Sequence, residues 1–207
     1  MRAEELFEGE ARARIERAVQ DAERRTSGEI VPMVVDRSHD YAGVRATAAA
    51  LCAFAAGAVV LAGPLDPLLW LPPVQLVVFV GAWLLSDRRA LLRLILPAAR
   101  CAEMVDRAAG LAFLEEGLTE TRDRTGILIY VSLLEHRVEV LADRGINALV
   151  EPGTWDGVVD TVLAGIRDRR AEQGLAEAIK LCGDLLAQGF PRRDDDTDEL
   201  PNKLRGN

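Results

Sequence analysis

One stretch in the second half of the chain concentrates side chains that could do chemistry. Residues 125–146, TGILIYVSLLEHRVEVLADRGI, include one of the two histidines of the protein. The charged or titratable side chains that follow its apolar run are Glu135, His136, Arg137, Glu139, Asp143 and Arg144. A histidine beside a carboxylate is a candidate general acid–base pair. Carboxylate oxygens are also the ligands that Ca²⁺ and Mg²⁺ prefer.

The local pattern assigns the first of these residues to a β-hairpin. Gly126–Ser132 is an apolar, β-branched run, and Arg137–Ala142 alternates apolar with polar residues. Glu135 and His136 fall in the turn between them, where polar residues are common. The alternation places the side chains of Arg137 and Glu139 on the solvent side of the second strand. We therefore assign no catalytic residue to the hairpin.

The end of the second strand is a stronger candidate for a ligand site. Asp143 and Arg144 follow that strand directly and precede a short helix predicted near Ile146. Asp36 likewise follows a predicted strand, and ligand sites in open α/β sheets gather at the carboxyl ends of strands. The alternative for Asp143 is a structural role, as the N-cap or turn residue of the following helix.

These positions define a candidate site for a hard divalent cation. Its predicted ligands are Asp36, Asp143, Glu151 and Asp156, which could supply oxygen atoms to Ca²⁺ or Mg²⁺. Arg144 and Trp155 are further ligand-site candidates. The sequence contains no EF-hand spacing, no zinc motif and no phosphate-binding P-loop. The prediction of a metal site therefore depends on the positions of these residues along the chain.

Two long apolar segments interrupt the charged parts of the sequence. Residues 46–63 and Pro67–Ser86 each approach the roughly 20 residues that cross a bilayer as a helix. Between residues 46 and 86 the ionisable side chains are Cys52 and Asp66. The segments predict a transmembrane helical hairpin at 44–87; the alternative is a helical hairpin buried in a soluble core.

The flanking arginines predict how the hairpin is oriented. Arg37 and Arg45 precede it and four arginines follow it within residues 88–100, whereas the connecting loop has no cation. By the positive-inside rule, both termini lie in the cytoplasm and the chain is a two-span protein of the inner (plasma) membrane.

Composition excludes one class of partner. The net charge is −8 and no basic stripe with interleaved aromatic residues occurs, so nucleic acid is not an expected partner. The three cysteines are scattered and odd in number, which is typical of unpaired thiols in a reducing compartment.

The remaining segments predict one α/β domain split by the hairpin. Residues 1–40 supply a helix and the strand Glu29–Val35, in which Pro32 favours an edge position. Residues 98–190 supply a long helix, the β-hairpin, a short helix and two amphipathic helices. A strand, a helix and a further strand form a βαβ-like crossover. Residues 191–207 form an acidic, extended tail.

Four segments of the chain share a recognisable pattern: RTSGEIVPMVV, RTGILIYVSLLEHRVEVLADRGI, TWDGVVDTVLAGI and GLAEAIKLCGDLLAQGFP. Together they resemble the TPM domain family. The resemblance covers most of residues 5–40 and 98–204, and DELPN near the end resembles a bacterial subgroup that carries a membrane hairpin. It implies an α/β/α sandwich with a small mixed sheet, divalent-cation binding in some members and phosphatase activity in a plant branch. Many members have a glycine-rich segment followed by Glu where this chain has Ala142-Asp143-Arg144-Gly145-Ile146.

We expect the domain to act as a protein-binding or assembly module at the cytoplasmic face of the membrane. Its partners would be the lipid bilayer and another membrane or membrane-associated protein. The alternatives are a phosphatase that depends on a divalent cation held by Asp36 and Asp143, and a cation-binding structural domain.

Overall fold

The computed structural model describes residues 3–193 and 199–206, so the acidic run at 194–198 lies outside the described residues. The chain divides into two compact units. The α/β unit contains Met1–Ser38 and Ala102–Asn207, and the hairpin unit contains His39–Cys101.

The elements follow one another along the described chain with short connections. In order they are α1 (Ala3–Leu6), α2 (Glu10–Glu23), β1 (Glu29–Val35), α3 (Ala42–Ala62), α4 (Pro67–Ser86), α5 (Arg89–Ile95), α6 (Ala98–Glu115), β2 (Gly126–Ser132), β3 (Arg137–Ala142), α7 (Arg144–Asn147), α8 (Asp156–Arg167) and α9 (Ala171–Gly189). The three predicted strands are confirmed at the predicted residues. The residues that follow the second long apolar segment form the short helix α5.

The sheet of the α/β unit has the strand order β1-β2-β3 in the described part of the chain. β1 and β2 are parallel, with Glu29 opposite Gly126 and Val35 opposite Ser132. β2 and β3 are antiparallel, with Ser132 opposite Arg137. All seven residues of β2 are buried, because helices cover both faces of this central strand.

Two apolar cores lie on the two faces of the sheet. On one face the aliphatic residues of α2, α8 and α9, including Ile15 and Ile179, pack against Ile127 and Ile129. On the other face α6 packs Val105 and its buried neighbours against the sheet. The predicted α/β/α arrangement with a small mixed sheet is confirmed.

The edge strand β1 is partly covered by the end of the chain. Pro32 has no N–H, and its carbonyl accepts a hydrogen bond from Arg205 N at 2.9 Å. Val34 N in turn donates to Arg205 O at 2.9 Å, and Leu204 is buried beside the strand. An extended segment of the tail therefore continues the sheet beyond β1.

In the hairpin unit, α3 packs on α4 through small residues spaced four apart. Ala49, Ala53 and Gly57 are buried on one side of α3. A Cβ atom at Gly57 would lie 2.6 Å from Gln75 Nε2, so glycine leaves room for this side chain of α4.

The two ends of the hairpin are fixed by polar contacts. At the closed end Leu68 N donates to the Asp66 carboxylate at 3.0 Å, which caps α4. At the open end the Arg45 guanidinium lies 3.1 Å from the Asp87 carboxylate and 4.7 Å from the centre of the Trp83 ring. The contacts of Arg45 therefore join the start of α3 to the end of α4.

Candidate functional site

The sheet topology places the two strand-end aspartates far apart. Asp36 follows β1 at the end of the sheet where β2 finishes, since Leu134 N donates to Asp36 O at 3.0 Å. Asp143 follows β3 at the end where β2 begins, since Asp143 N donates to Gly126 O at 2.9 Å. The six steps of β2 between these ends span about 20 Å.

The antiparallel direction of β3 is the reason for this separation. Both aspartates follow the carboxyl end of a strand, but the carboxyl end of β3 coincides with the amino ends of β1 and β2. Asp36 and Asp143 therefore lie at opposite ends of β2.

The other predicted ligands lie in or near the turn that leads into α8. Glu151 and Asp156 are exposed, and a Cβ atom at Gly153 would lie 3.3 Å from Asp156 Oδ2. Across residues 3–193 and 199–206, no group of three or more His, Cys, Asp or Glu side chains is arranged to hold a metal ion. The Ca²⁺ or Mg²⁺ site stays a prediction.

Three of the segments that carry the family resemblance meet at the amino end of β1 and β2. The Thr26 hydroxyl donates to Phe190 O at 2.6 Å and accepts from Gly28 N at 3.1 Å. The Thr125 hydroxyl donates to Ser27 O at 3.1 Å. Both threonines are buried. The Thr26 hydroxyl ties the start of β1 to the end of α9, and the Thr125 hydroxyl ties the segment before β2 to the segment before β1.

Two buried carboxylates at the same end accept hydrogen bonds from the backbone. Ile30 N donates to the Glu23 carboxylate at 2.9 Å, and Glu199 N donates to the Glu29 carboxylate at 2.9 Å. Sequence reasoning missed both residues as members of a buried network. The available signal was Glu29 itself, a charged residue directly before an apolar strand, where burial requires a compensating donor.

Asp143 lies at the same end of the sheet, as the N-cap of α7. Its Oδ1 accepts from Arg144 N at 2.7 Å, which is the structural role that the sequence left open. Its Oδ2 is buried, has no hydrogen-bond partner among residues 3–193 and 199–206, and lies 3.8 Å from the Arg124 guanidinium. The proximity of this cation balances the carboxylate charge in part.

The two further ligand-site candidates lie in different surroundings. Arg144 is exposed at the start of α7, whereas Trp155 is half-buried and packs against the core under α8. The structure therefore assigns Trp155 a packing contact.

A second polar cluster lies at the carboxyl end of β1 and β2. Glu135 accepts hydrogen bonds from Ser38 N at 3.0 Å and from the Ser132 hydroxyl. The Tyr130 hydroxyl donates to Ser38 Oγ at 3.3 Å, and burial raises the pKa of that phenol. Asp36 accepts from Ala3 N at 2.7 Å.

This cluster changes the interpretation of the hairpin turn. Glu135 is half-buried and holds the chain that leaves β1, so it is more than a solvent-facing turn residue. His136 is exposed with a φ of 51°. Glu139, expected in solvent, is half-buried, and desolvation raises the pKa of its carboxyl while Arg137 acts in the opposite direction.

The comparisons with known proteins agree with the resemblance. Residues 95–185 match the model of the TPM domain. A TPM domain is therefore present over this stretch, which is under half of the 207 residues. No curated protein matches the chain.

A solved structure shares the fold. The chain is similar to the NMR structure of BA42 protein from the psychrophilic bacterium Bizionia argentinensis, with a TM-score of 0.60 and 22% sequence identity. The similarity covers 96% of this chain and 93% of that one. At this identity, the likeness concerns the fold alone.

Proposed function

We propose that this protein is a membrane-anchored TPM protein whose domain binds another protein at the cytoplasmic face of the inner (plasma) membrane. The α3–α4 hairpin would cross the membrane twice and leave both termini in the cytoplasm. The cation-dependent phosphatase is less well supported, because Asp36 and Asp143 lie at opposite ends of β2.

The observation that carries the anchor is the outward apolar surface of the hairpin. Both helices are long and apolar enough to cross a membrane. The side chains of Phe54 and Leu68 are 73% and 90% exposed, and many other large apolar side chains of α3 and α4 are exposed as well. A continuous apolar surface of this kind is unfavourable in water and compatible with lipid.

Strand pairing supports the orientation of the hairpin. β1 precedes α3 and β2 follows α4, yet the two strands are hydrogen-bonded neighbours in one sheet. Both open ends of a hairpin that spans a membrane must then lie on the same side of it. The arginines near these ends favour the cytoplasmic side.

The outer face of α6 supports a binding role for the domain. Leu111 and Leu114 are 58% and 62% exposed and lie one helical turn apart. The opposite face of α6 buries Val105 and Ala109 against the sheet. α6 therefore presents an apolar pair outward from the α/β unit, as expected of a surface that contacts a partner.

Cysteine labelling tests the anchor and its topology. We expect the protein to stay in membranes after alkaline carbonate extraction. In intact spheroplasts an impermeant maleimide should label a Leu65→Cys variant, in the loop between α3 and α4, but not an Asp21→Cys variant on α2. Release by carbonate, or labelling of the Asp21→Cys variant in intact spheroplasts, would contradict the proposal.

Affinity purification from membranes tests the binding role. The double variant Leu111→Asn, Leu114→Asn should lose a partner that the wild-type protein recovers. The matched control is Leu149→Asn, since Leu149 is 63% exposed on the same unit but lies outside α6. Identical recovery by all three proteins would refute α6 as the binding surface.

A further inference from the structure

A groove in the hairpin unit runs between the first half of α3 and the segment that follows α5. Its volume is about 660 Å³, within the roughly 300–1,000 Å³ typical of small-molecule sites. Its apolar wall is formed by Val44, Ala48, Leu51, Ile95 and Pro97, and Arg100 lies at its margin. The groove thus combines a long apolar wall with one cation.

The charge of Arg100 is available to a ligand. Its side chain is exposed, and the structure gives its guanidinium no hydrogen-bond or ion-pair partner within residues 3–193 and 199–206. Arg45, on the same unit, is in contrast paired with Asp87. Thr47, which also lines the groove, donates its hydroxyl to Gly43 O at 2.9 Å.

The segment around Arg100 is basic in an otherwise acidic protein. Residues 88–101 contain four arginines and no acidic residue. The chain as a whole carries −8, so the remainder without these four arginines carries −12. A cluster of this sign beside a membrane span attracts anionic lipid headgroups.

The exposed face of α5 extends this basic segment with apolar side chains. Leu94 is 81% exposed and Leu91, one turn earlier, is 41% exposed, whereas Leu92 is buried. Leucines that alternate with arginines suit a helix at the boundary between acyl chains and headgroups. A free phosphate would use the cations but leave these leucines and the groove wall in water.

We propose that this groove binds an anionic phospholipid, with an acyl chain against Ala48, Leu51 and Ile95 and the headgroup phosphate at Arg100. The proposal rests on the membrane anchor of the preceding subsection. The arginine supplies a charge-assisted hydrogen bond to phosphate, and the apolar wall replaces contacts that the chain would make in the bilayer. The site would select lipids by headgroup charge.

Lipid retention measured by native mass spectrometry tests the site. The full chain, purified in mild detergent, is titrated with phosphatidylglycerol, phosphatidylcholine or inorganic phosphate. We expect about fivefold greater retention of phosphatidylglycerol than of phosphatidylcholine, as for one arginine near an anionic headgroup. Arg100→Gln should remove this preference, and Ala48→Phe, which fills the groove, should reduce retention of both lipids.

Arg24→Gln is the matched control, because it removes one exposed arginine that lies directly after α2, in the α/β unit. Equal retention of the two lipids by the wild-type protein would overturn the proposal. It would also be overturned if Arg24→Gln lost as much preference as Arg100→Gln, or if inorganic phosphate displaced the lipid. Carbonate extraction separates the lipid site from the membrane anchor. A protein that stays in the membrane but shows no lipid preference refutes the lipid site. A protein that carbonate releases from the membrane refutes the anchor.

Discussion

Gly145 offers a direct test of whether the Asp-Arg-Gly-Ile segment holds the fold together. A Cβ atom at this position would lie 2.5 Å from Asp123 O and 2.6 Å from Arg124 O. Both are backbone oxygens, so no flexible side chain can move aside. Gly145 N also donates to Arg124 O at 3.1 Å, which ties the start of α7 to the loop before β2. Gly145→Ala must therefore displace one backbone segment from the other.

The expected loss of stability in Gly145→Ala follows from adding a methyl group at a tightly packed site that cannot relax freely. An added methyl group in a well-packed region costs about 1–3 kcal/mol of the free energy of unfolding. For a domain of this size each kcal/mol lowers the unfolding temperature by about 2–4 °C, so we expect a decrease of about 2–12 °C. Gly110→Ala, in the interior of α6, is the matched control, since a Cβ atom there meets no atom of the described residues within 4 Å. Because alanine has a higher helix propensity than glycine, Gly110→Ala should raise the free energy of unfolding by up to about 1 kcal/mol.

Thermal unfolding followed by circular dichroism compares the wild-type protein with the two variants in the same detergent. Replacing glycine with alanine should lower the unfolding temperature at Gly145 and raise it at Gly110. If Gly145→Ala unfolded at or above the wild-type temperature, the close approach of α7 to the loop would not constrain this position. A similar decrease for Gly110→Ala would show that steric contact is not the cause.

Two further predictions concern buried groups of the α/β unit. Asp143→Ala removes the N-cap of α7 and should lower the free energy of unfolding by about 0.5–2 kcal/mol. Asp143→Asn keeps an acceptor for Arg144 N, so its loss of stability should be smaller. Equal losses for the two variants in denaturant titrations would argue against the capping role. Burial raises the pKa of the Cys182 thiol from 9.0 to about 12, so the unfolded chain ionises first and stability should fall as the pH rises above 9.0. Unfolding temperatures at about pH 8 and about pH 10.5 should therefore differ less in Cys182→Ala than in the wild-type protein, and an unchanged difference would contradict this assignment.

Much of the fold could be predicted because its patterns are local. The period-2 pattern of Arg137–Ala142 and the apolar run of Gly126–Ser132 identify β2 and β3 at the observed residues. The length and apolarity of Pro67–Ser86 identify α4 in the same way. The short helix after β3 begins at Arg144, two residues earlier than the pattern indicated, because Asp143 caps it there.

The candidate site could be predicted less well, because it depends on which ends of strands coincide. Position along the chain marks Asp36 and Asp143 as equivalent strand-end residues, but the direction of β3 separates them by the length of β2. Glu135 illustrates a second limit, since a residue in a turn has no periodicity from which its burial can be inferred. Its hydrogen bonds to Ser38 and Ser132 exist because β1 and β2 are neighbours.

The sequence by itself determined the three strands, the longer helices, the apolar hairpin and the resemblance to TPM domains, since each depends on residues close together along the chain. The tertiary structure decided that the family segments meet in a buried network with Glu23 and Glu29, and that Arg100 borders an apolar groove. These arrangements join residues that are distant in sequence. Packing and strand pairing, which local patterns do not encode, bring them together.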